Sequence, residues 1–242
     1  LSFEKCISFF RIRVSQAVNA WKEELKNPVF RAKIISIPVL FLTYSWITRH
    51  LGNYIQSRKG MLLADPLLDI FPRADYSAHI FLLLYSSIFI VLISQAGKPG
   101  IILRVVQVHF AVAVCRQLCI LGIALEPPAG IIVLRDIFLE NTVYPHAPLT
   151  KDLFFSGHVA SVWIYFLYTS NKPLKYGFAL ATIIMSWMIL CMRVHYTYDV
   201  LGALFFTSII YLLFEKVKYF SRQRSVAPAF VTEANKVPAP QE

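Results

Sequence analysis

Charged residues are scarce in this sequence. They make up 16% of the 242 residues, against 57% hydrophobic and 14% aromatic, a balance that excludes an ordinary soluble domain. Acidic residues are the scarcer sign, 14 against 24 Lys and Arg, for a net charge of +10. Such a balance can signal a nucleic-acid partner. Here, however, the basic residues gather at the two ends and in short loops between apolar runs, which is the distribution of membrane topology and not of nucleic-acid binding. Cysteine is also sparse. Of the four, Cys115, Cys119 and Cys191 lie inside apolar segments and Cys6 lies near the start; no zinc spacing or disulfide framework emerges, so they read as small apolar residues. No cleavable signal is expected either, because the sequence opens with Leu1 and its first apolar run begins only near Ala32, so the first span serves as the insertion signal.

What is present is a series of long apolar runs. A hydrocarbon core of about 30 Å needs about 20 apolar residues per helix, and six runs near 32–51, 77–97, 101–125, 154–171, 176–194 and 198–217 meet that need. The fold class is therefore all-α, a polytopic membrane protein with six transmembrane helices. Residues 1–31 form a basic N-terminal segment in which Lys5, Arg11, Arg13, Lys22, Lys26 and Arg31 interleave with Phe9, Phe10, Val14, Val18 and Trp21. It reads as an amphipathic helix on an anionic membrane surface or as a solvated charged helix. Residues 32–217 form the membrane domain, and 218–242 read as a disordered cytosolic tail. Six spans put both basic termini on one side, which the positive-inside rule makes cytosolic, together with the turns at Lys98 and Lys172–Lys175. Arg58, Lys59 and Arg73 in the first outer loop run against the rule, alongside Asp65, Asp69 and Asp75.

Polar chemistry is concentrated at two junctions. The fifth run ends in Arg193-Val194-His195-Tyr196-Thr197-Tyr198-Asp199. On a helix His195 and Asp199 are i, i+4 neighbours, so the carboxylate can hold the imidazole in one tautomer, an arrangement of nucleophile and orienter. The fourth run opens with Phe154-Phe155-Ser156-Gly157-His158, where Gly157 permits close backbone approach and a helix N-terminus offers amides to a phosphate. With six spans, His158 and His195 emerge on the same, non-cytosolic face. Arginines within a span need a reason. Arg104 and Arg116 are about 18 Å apart along a helix and roughly 120° around it, so they serve separate ends. Arg104 reads as snorkelling to headgroups. Arg116 reads as a phosphate clamp or as the partner of a buried carboxylate. His109 reads as packing, and Tyr196 and Tyr198 as interfacial anchors.

These residues resemble a known family. Phe155-Ser156-Gly157-His158 followed by His195-Tyr196-Thr197-x-Asp199 resembles the type-2 phosphatidic acid phosphatase superfamily of lipid phosphatases and phosphotransferases, and within it the sphingomyelin synthase branch. Asp152 stands four residues before Ser156, as that branch's acidic residue does. Arg116 followed by Pro127 and Pro128, and Pro66-Leu67-Leu68-Asp69, are similar to the branch's third-span arginine, the loop after it and its first-loop motif. Phe154 to Ala160 is similar to plant phosphatidylcholine:diacylglycerol cholinephosphotransferases. The wider superfamily's Lys-x6-Arg-Pro motif is missing, and the residue six before His195 is Ile189, which favours the transferase branch. Glu126 departs from the synthases, and no N-terminal interaction domain precedes the first span.

The resemblance implies catalysis by His158, His195 and Asp199. His195 attacks the phosphorus of a glycerophospholipid, His158 protonates the leaving diacylglycerol oxygen, and the headgroup passes from a phosphohistidine to ceramide or another diacylglycerol. Arg116, Ser156, Gly157 and Asp152 contribute substrate binding. Ser156 can alternatively cap its helix, and Asp152 can accept a proton, orient an arginine or stand as a plain loop residue. No metal or cofactor is required. The partners are a membrane phospholipid donor and a lipid alcohol acceptor, with no nucleic acid. The other readings are a lipid phosphate phosphatase, with water as acceptor, and a non-catalytic lipid-binding or transport protein. The sequence leaves headgroup, acceptor, organelle and oligomeric state open.

Overall fold

A computed structural model of the chain describes residues 3–136 and 149–234, with side chains over 11–136 and 149–217. Most of the described residues are helical, and none of them forms a strand. The N-terminal helix α1 (Phe3–Glu24) turns at Asn27 into α2 (Pro28–Ser57). Asn27 Oδ1 accepts the N–H groups of Val29 and Phe30 at 2.9 and 3.4 Å, and Pro28 occupies a first-turn position whose N–H has no helical partner in any case. Then follow α3 (Ser77–Gln95), α4 (Pro99–Gly122), α5 (Gly157–Tyr168), α6 (Lys172–Cys191) and α7 (Thr197–Ala234). Asp75 starts α3 by accepting the Ser77 N–H and hydroxyl at 2.8 and 2.7 Å.

Five of the described helices are long and apolar enough to cross a membrane: α2, α3, α4, α6 and the Thr197–Val217 part of α7. This is a multi-pass membrane architecture. The fourth expected run, 154–171, is helical only over the 12 residues of α5. At 1.5 Å per residue α5 is about 18 Å long, short of the hydrocarbon core. Phe154 and Phe155 remain outside the helix, and its last turn closes when the Thr169 N–H reaches Tyr165 O. What α5 lacks in length it makes up in contact. It packs against α3, α4, α6 and α7, with Val159, Val162 and Ile164 fully buried against a core that includes Met185, Ile189 and Ala203.

The first span also begins earlier than expected, at Pro28, so that Arg31 and Lys33 lie within α2. Along its 30 residues only Phe30, Gly52 and Ile55 are buried, which leaves α2 as a peripheral wall. α1 is attached to the bundle through Trp21, whose Nε1 donates to Ala96 O at 3.0 Å and whose ring meets Phe30 edge-on. Helical backbone in α7 continues to Ala234, beyond the expected membrane boundary at 217, and residues 235–242 lie outside the described ones.

At one end of the bundle the connections form an interlocked layer. Met61 and Leu125 make a parallel bridge, with Met61 N–H on Ala124 O at 2.9 Å and Glu126 N–H on Met61 O at 3.0 Å. Gly60 makes this possible, since a Cβ there would lie 2.4 Å from the Leu125 carbonyl carbon. The turns between α3 and α4 and between α5 and α6 lie at the other end.

Candidate catalytic site

The α6–α7 junction is not the continuous helix on which His195 and Asp199 were expected to be i, i+4 neighbours. α6 stops at Cys191, Arg193 takes a left-handed backbone with φ 56°, and α7 starts only at Thr197. The predicted contact nevertheless forms by another route. Asp199 occupies the first turn of α7, where a carboxylate can reach back to the backbone ahead of the helix. Its Oδ2 accepts the Tyr196 N–H at 2.9 Å and lies 3.1 Å from His195 Nδ1. Asp199 is wholly buried and His195 is 5% exposed, so the pair is shielded from water and the imidazole is held with Nδ1 committed.

Residues far away in the chain fasten this junction. Asp65 accepts the Thr197 N–H at 2.7 Å and the Thr197 hydroxyl at 2.9 Å. Arg193 pairs with Asp69 at 2.9 Å. Tyr196, expected at the membrane interface, is instead 1% exposed; its hydroxyl donates to Glu126 O at 2.9 Å and accepts the Leu63 N–H at 3.3 Å. Glu126 in turn accepts Lys151 Nζ and the Gly60 N–H, both at 2.8 Å. Lys151 first and Gly60 second hold its carboxyl below the usual glutamate range.

His158 enters from the start of α5, its ring edge-on to Phe81 with centroids 5.6 Å apart. Ser156 precedes the helix, but its side chain makes no capping bond. Its backbone N–H donates to Asp199 O at 3.2 Å, which ties the two histidine motifs together, and its Oγ is buried with no partner among the described residues. Gly157 lies over Arg116, where an added Cβ would sit 3.5 Å from Nε and 3.7 Å from Cδ. These are ordinary contact distances, so Gly157 is not required here for an unusually close approach. The tight position is Gly202 of α7, where a Cβ would meet the Phe154 ring at 3.0 Å.

Arg116 is paired with a carboxylate, that of Asp152, which is half-buried and not the fully buried partner expected. Nε donates to Phe155 O at 2.6 Å, and Nη2 donates to Asp152 O and pairs with Asp152 Oδ2, each at 3.0 Å. Asp152 thus orients the arginine, and the guanidinium holds the strand of chain that leads into His158.

Arg116, Asp152, Gly157, His158 and His195 all line one cavity of about 730 Å³. Ser156 and Asp199 stand behind its wall. From this polar end the cavity runs between α2, α4, α5 and α7 past Phe110, Ile164 and Phe214. Its lining on α4 extends from Arg116 back to Val106, ten residues, so it reaches about 15 Å along the bundle. His109 also lines it, with Nδ1 on Val105 O at 2.9 Å and its ring 5.2 Å from Tyr165, consistent with packing. Arg104 lies toward the other end, paired with Glu215 at 3.7 Å. Among the described residues no group of three or more His, Cys, Asp or Glu could hold a metal ion.

Sequence reasoning did not find Asp65, Lys151 or the structural use of Glu126 and Tyr196. The only signal for Asp65 was its place immediately before the Pro66-Leu67-Leu68-Asp69 stretch. No curated protein matches the chain. Residues 151–217, which hold Asp152, His158, His195 and Asp199, match the family model described as PAP2 superfamily C-terminal, and that match supports the type-2 phosphatidic acid phosphatase superfamily, whose members are generally phosphatases or phosphotransferases.

Proposed function

We propose that this chain is a membrane lipid phosphotransferase that moves a phosphoryl headgroup, phosphocholine or phosphoethanolamine, from a glycerophospholipid to ceramide or diacylglycerol. The observation that carries the reading is the His195–Asp199 pair, 3.1 Å apart and buried, at the polar end of an apolar cavity that His158 and Arg116 also line. With Nδ1 engaged by Asp199, Nε2 of His195 is the nitrogen left for substrate. It forms a bond to phosphorus while the bond from phosphorus to the glycerol oxygen breaks, and His158 gives that oxygen its proton. In the second half His158 takes the proton of the acceptor hydroxyl, the acceptor oxygen bonds to phosphorus, and the bond to His195 breaks. Arg116, already fixed by Phe155 and Asp152, meets the phosphate charge.

The apolar depth of the cavity suits an acyl chain, and the burial of His195 and Asp199 favours an alcohol over water in the second half-reaction. In this reading both basic termini are cytosolic, α1 rests on an anionic membrane surface, and the catalytic end faces away from the cytosol.

The test is reconstitution of the purified protein with headgroup-labelled phosphatidylcholine or phosphatidylethanolamine plus ceramide or diacylglycerol. The expected result is label in a new lipid, abolished in His195→Ala and His158→Ala and reduced by roughly a hundredfold or more in Asp199→Asn. Label released as soluble headgroup phosphate would assign hydrolysis. No turnover, with wild type and His195→Ala alike, would sink the enzymatic reading for those substrates.

A further inference from the structure

His195 is oriented by the Asp199 carboxylate, whereas His158 makes no hydrogen bond to a carboxylate among the described residues. We infer that Asp136, held by Tyr85, is the anion that serves His158, a positioning residue that favours its protonated imidazole at the start of headgroup transfer. The inference rests on the proposed function, in which His158 is the general acid.

Asp136 ends a stretch of chain that returns across the bundle after α4. The Ile132 N–H donates to Met192 O at 2.8 Å and the Arg135 N–H to Ser77 Oγ at 3.4 Å. The stretch is thereby fastened to the α6–α7 junction and to the start of α3, and its Ile131, Val133 and Leu134 line the cavity of the two histidines. Tyr85, two turns into α3, donates its hydroxyl to Asp136 Oδ2 at 2.6 Å, the length of a bond to an ionised carboxylate. Phe81 and Tyr85 are i, i+4 neighbours on α3 with their rings stacked, centroids 6.0 Å apart, and Phe81 meets the His158 ring edge-on at 5.6 Å. One face of α3 thus holds both the Asp136 carboxylate and the His158 imidazole. Asp136 is not among the residues that line the cavity, so it acts on His158 and not on substrate.

Among the described residues, four charged or titratable groups act on His158. His195, from the α6–α7 junction, and Arg116, from α4, oppose a cation there; Asp152, from the loop before α5, and Asp136 favour one. Arg116 and Asp152 are paired at 3.0 Å and largely offset each other. Arg135, the neighbour of Asp136 in the chain, acts on Asp75. Asp136 is therefore the anion that answers His195. The chemistry uses it twice. In the first half-reaction the His158 imidazolium passes its proton to the glycerol oxygen as that oxygen's bond to phosphorus breaks, and in the second the neutral imidazole takes the proton of the acceptor hydroxyl as the acceptor oxygen bonds to phosphorus. A carboxylate beside the ring favours the charged form that begins the first step and ends the second.

The test has two readouts across pH. Modification of His158 by diethyl pyrocarbonate, which needs the neutral imidazole, is followed by mass spectrometry on the full chain in detergent micelles, and kcat/KM for a headgroup-labelled donor is measured in nanodiscs. In Asp136→Asn the midpoint of modification and the alkaline limb of kcat/KM are expected to move to lower pH by about one unit. The same direction and a smaller shift are expected in Tyr85→Phe, which removes only a hydroxyl and carries the test if Asp136→Asn does not fold. Asp136→Glu is expected to restore both. A midpoint unmoved or raised in these variants, or activity lost evenly at every pH with the limb in place, would overturn the inference. If the wild type transfers no headgroup while the midpoint moves as expected, the proposed function fails and the coupling of Asp136 to His158 stands; if the wild type transfers, His195→Ala does not and the midpoint is unmoved, the inference alone fails.

Discussion

Asp65 and Thr197 are 132 residues apart in the chain, yet one carboxylate holds both the backbone N–H and the hydroxyl of that threonine. The loop after α2 is thereby fixed to the first turn of α7, two residues after His195. Replacing Asp65 by Ala removes a helix cap, at a cost of about 1 kcal/mol, and releases the backbone that aims His195. Thermal unfolding in nanodiscs is expected to show the loss in Asp65→Ala and a smaller one in Asp65→Asn, which keeps an acceptor oxygen. Headgroup transfer is expected to fall in the same order.

Arg116 makes two of its contacts to backbone carbonyls, Phe155 O and Asp152 O, and one to the Asp152 carboxylate. Asp152→Asn therefore keeps most of the clasp, while Arg116→Lys cannot hold both carbonyls with one ammonium. Arg116→Lys is expected to be the more harmful change by about 1–2 kcal/mol, read from paired thermal-unfolding curves.

Two glycines predict opposite outcomes. A methyl group at Gly60 would fall 2.4 Å from Leu125 backbone, which cannot move aside without breaking the Met61–Leu125 bridge, whereas at Gly157 it would find Arg116 at 3.5 Å or more. Gly60→Ala is expected to cost about 2 kcal/mol or more, and Gly157→Ala is expected to fold with near-normal stability. A Gly157→Ala protein that failed to fold while Gly60→Ala folded normally would contradict this packing.

The Glu126 carboxyl is held below the usual glutamate range by Lys151 and by the Gly60 N–H. A depressed folded-state value means that the stabilisation is complete above the ordinary glutamate range. It is lost as pH falls through the lowered value, where the folded chain must take up the proton. The wild-type unfolding temperature is expected to drop more steeply than that of Glu126→Gln across this acidic window, and the two curves to run parallel near neutral pH.

The parts of the site that the sequence made legible are those with local spacing. His158 and His195 share one end of the bundle because a turn and two antiparallel helices separate them, and that follows from counting residues. The contact between His195 and Asp199 was also legible, though not its backbone, since nothing in the pattern marks Arg193 as the left-handed residue that breaks the helix. The fastening of the junction by Asp65, Asp69, Glu126 and Lys151 was hidden because each partner lies more than 20 residues away, and hydropathy carries no information about which loops cross. Tyr196 was misplaced for the same reason, its hydroxyl answering a carbonyl and an amide from two distant loops. The shortness of α5 was hidden for a different one: 154–171 is apolar enough, and the backbone ahead of Gly157 is engaged instead by Arg116 on Phe155 O, by Asp199 O on the Ser156 N–H and by the close packing of Phe154 on Gly202.

The exposed, thinly packed α2 has its own consequence, because this single helix forms the side wall of the 730 Å³ cavity along Ile37, Leu40, Phe41 and Tyr44. Under the proposed function, a lipid substrate that enters beside it never leaves the bilayer plane. Occupancy then follows the mole fraction of that molecule among its lipid neighbours and not its amount per volume of buffer, so diluting the membrane with inert lipid lowers occupancy while diluting the suspension with water does not.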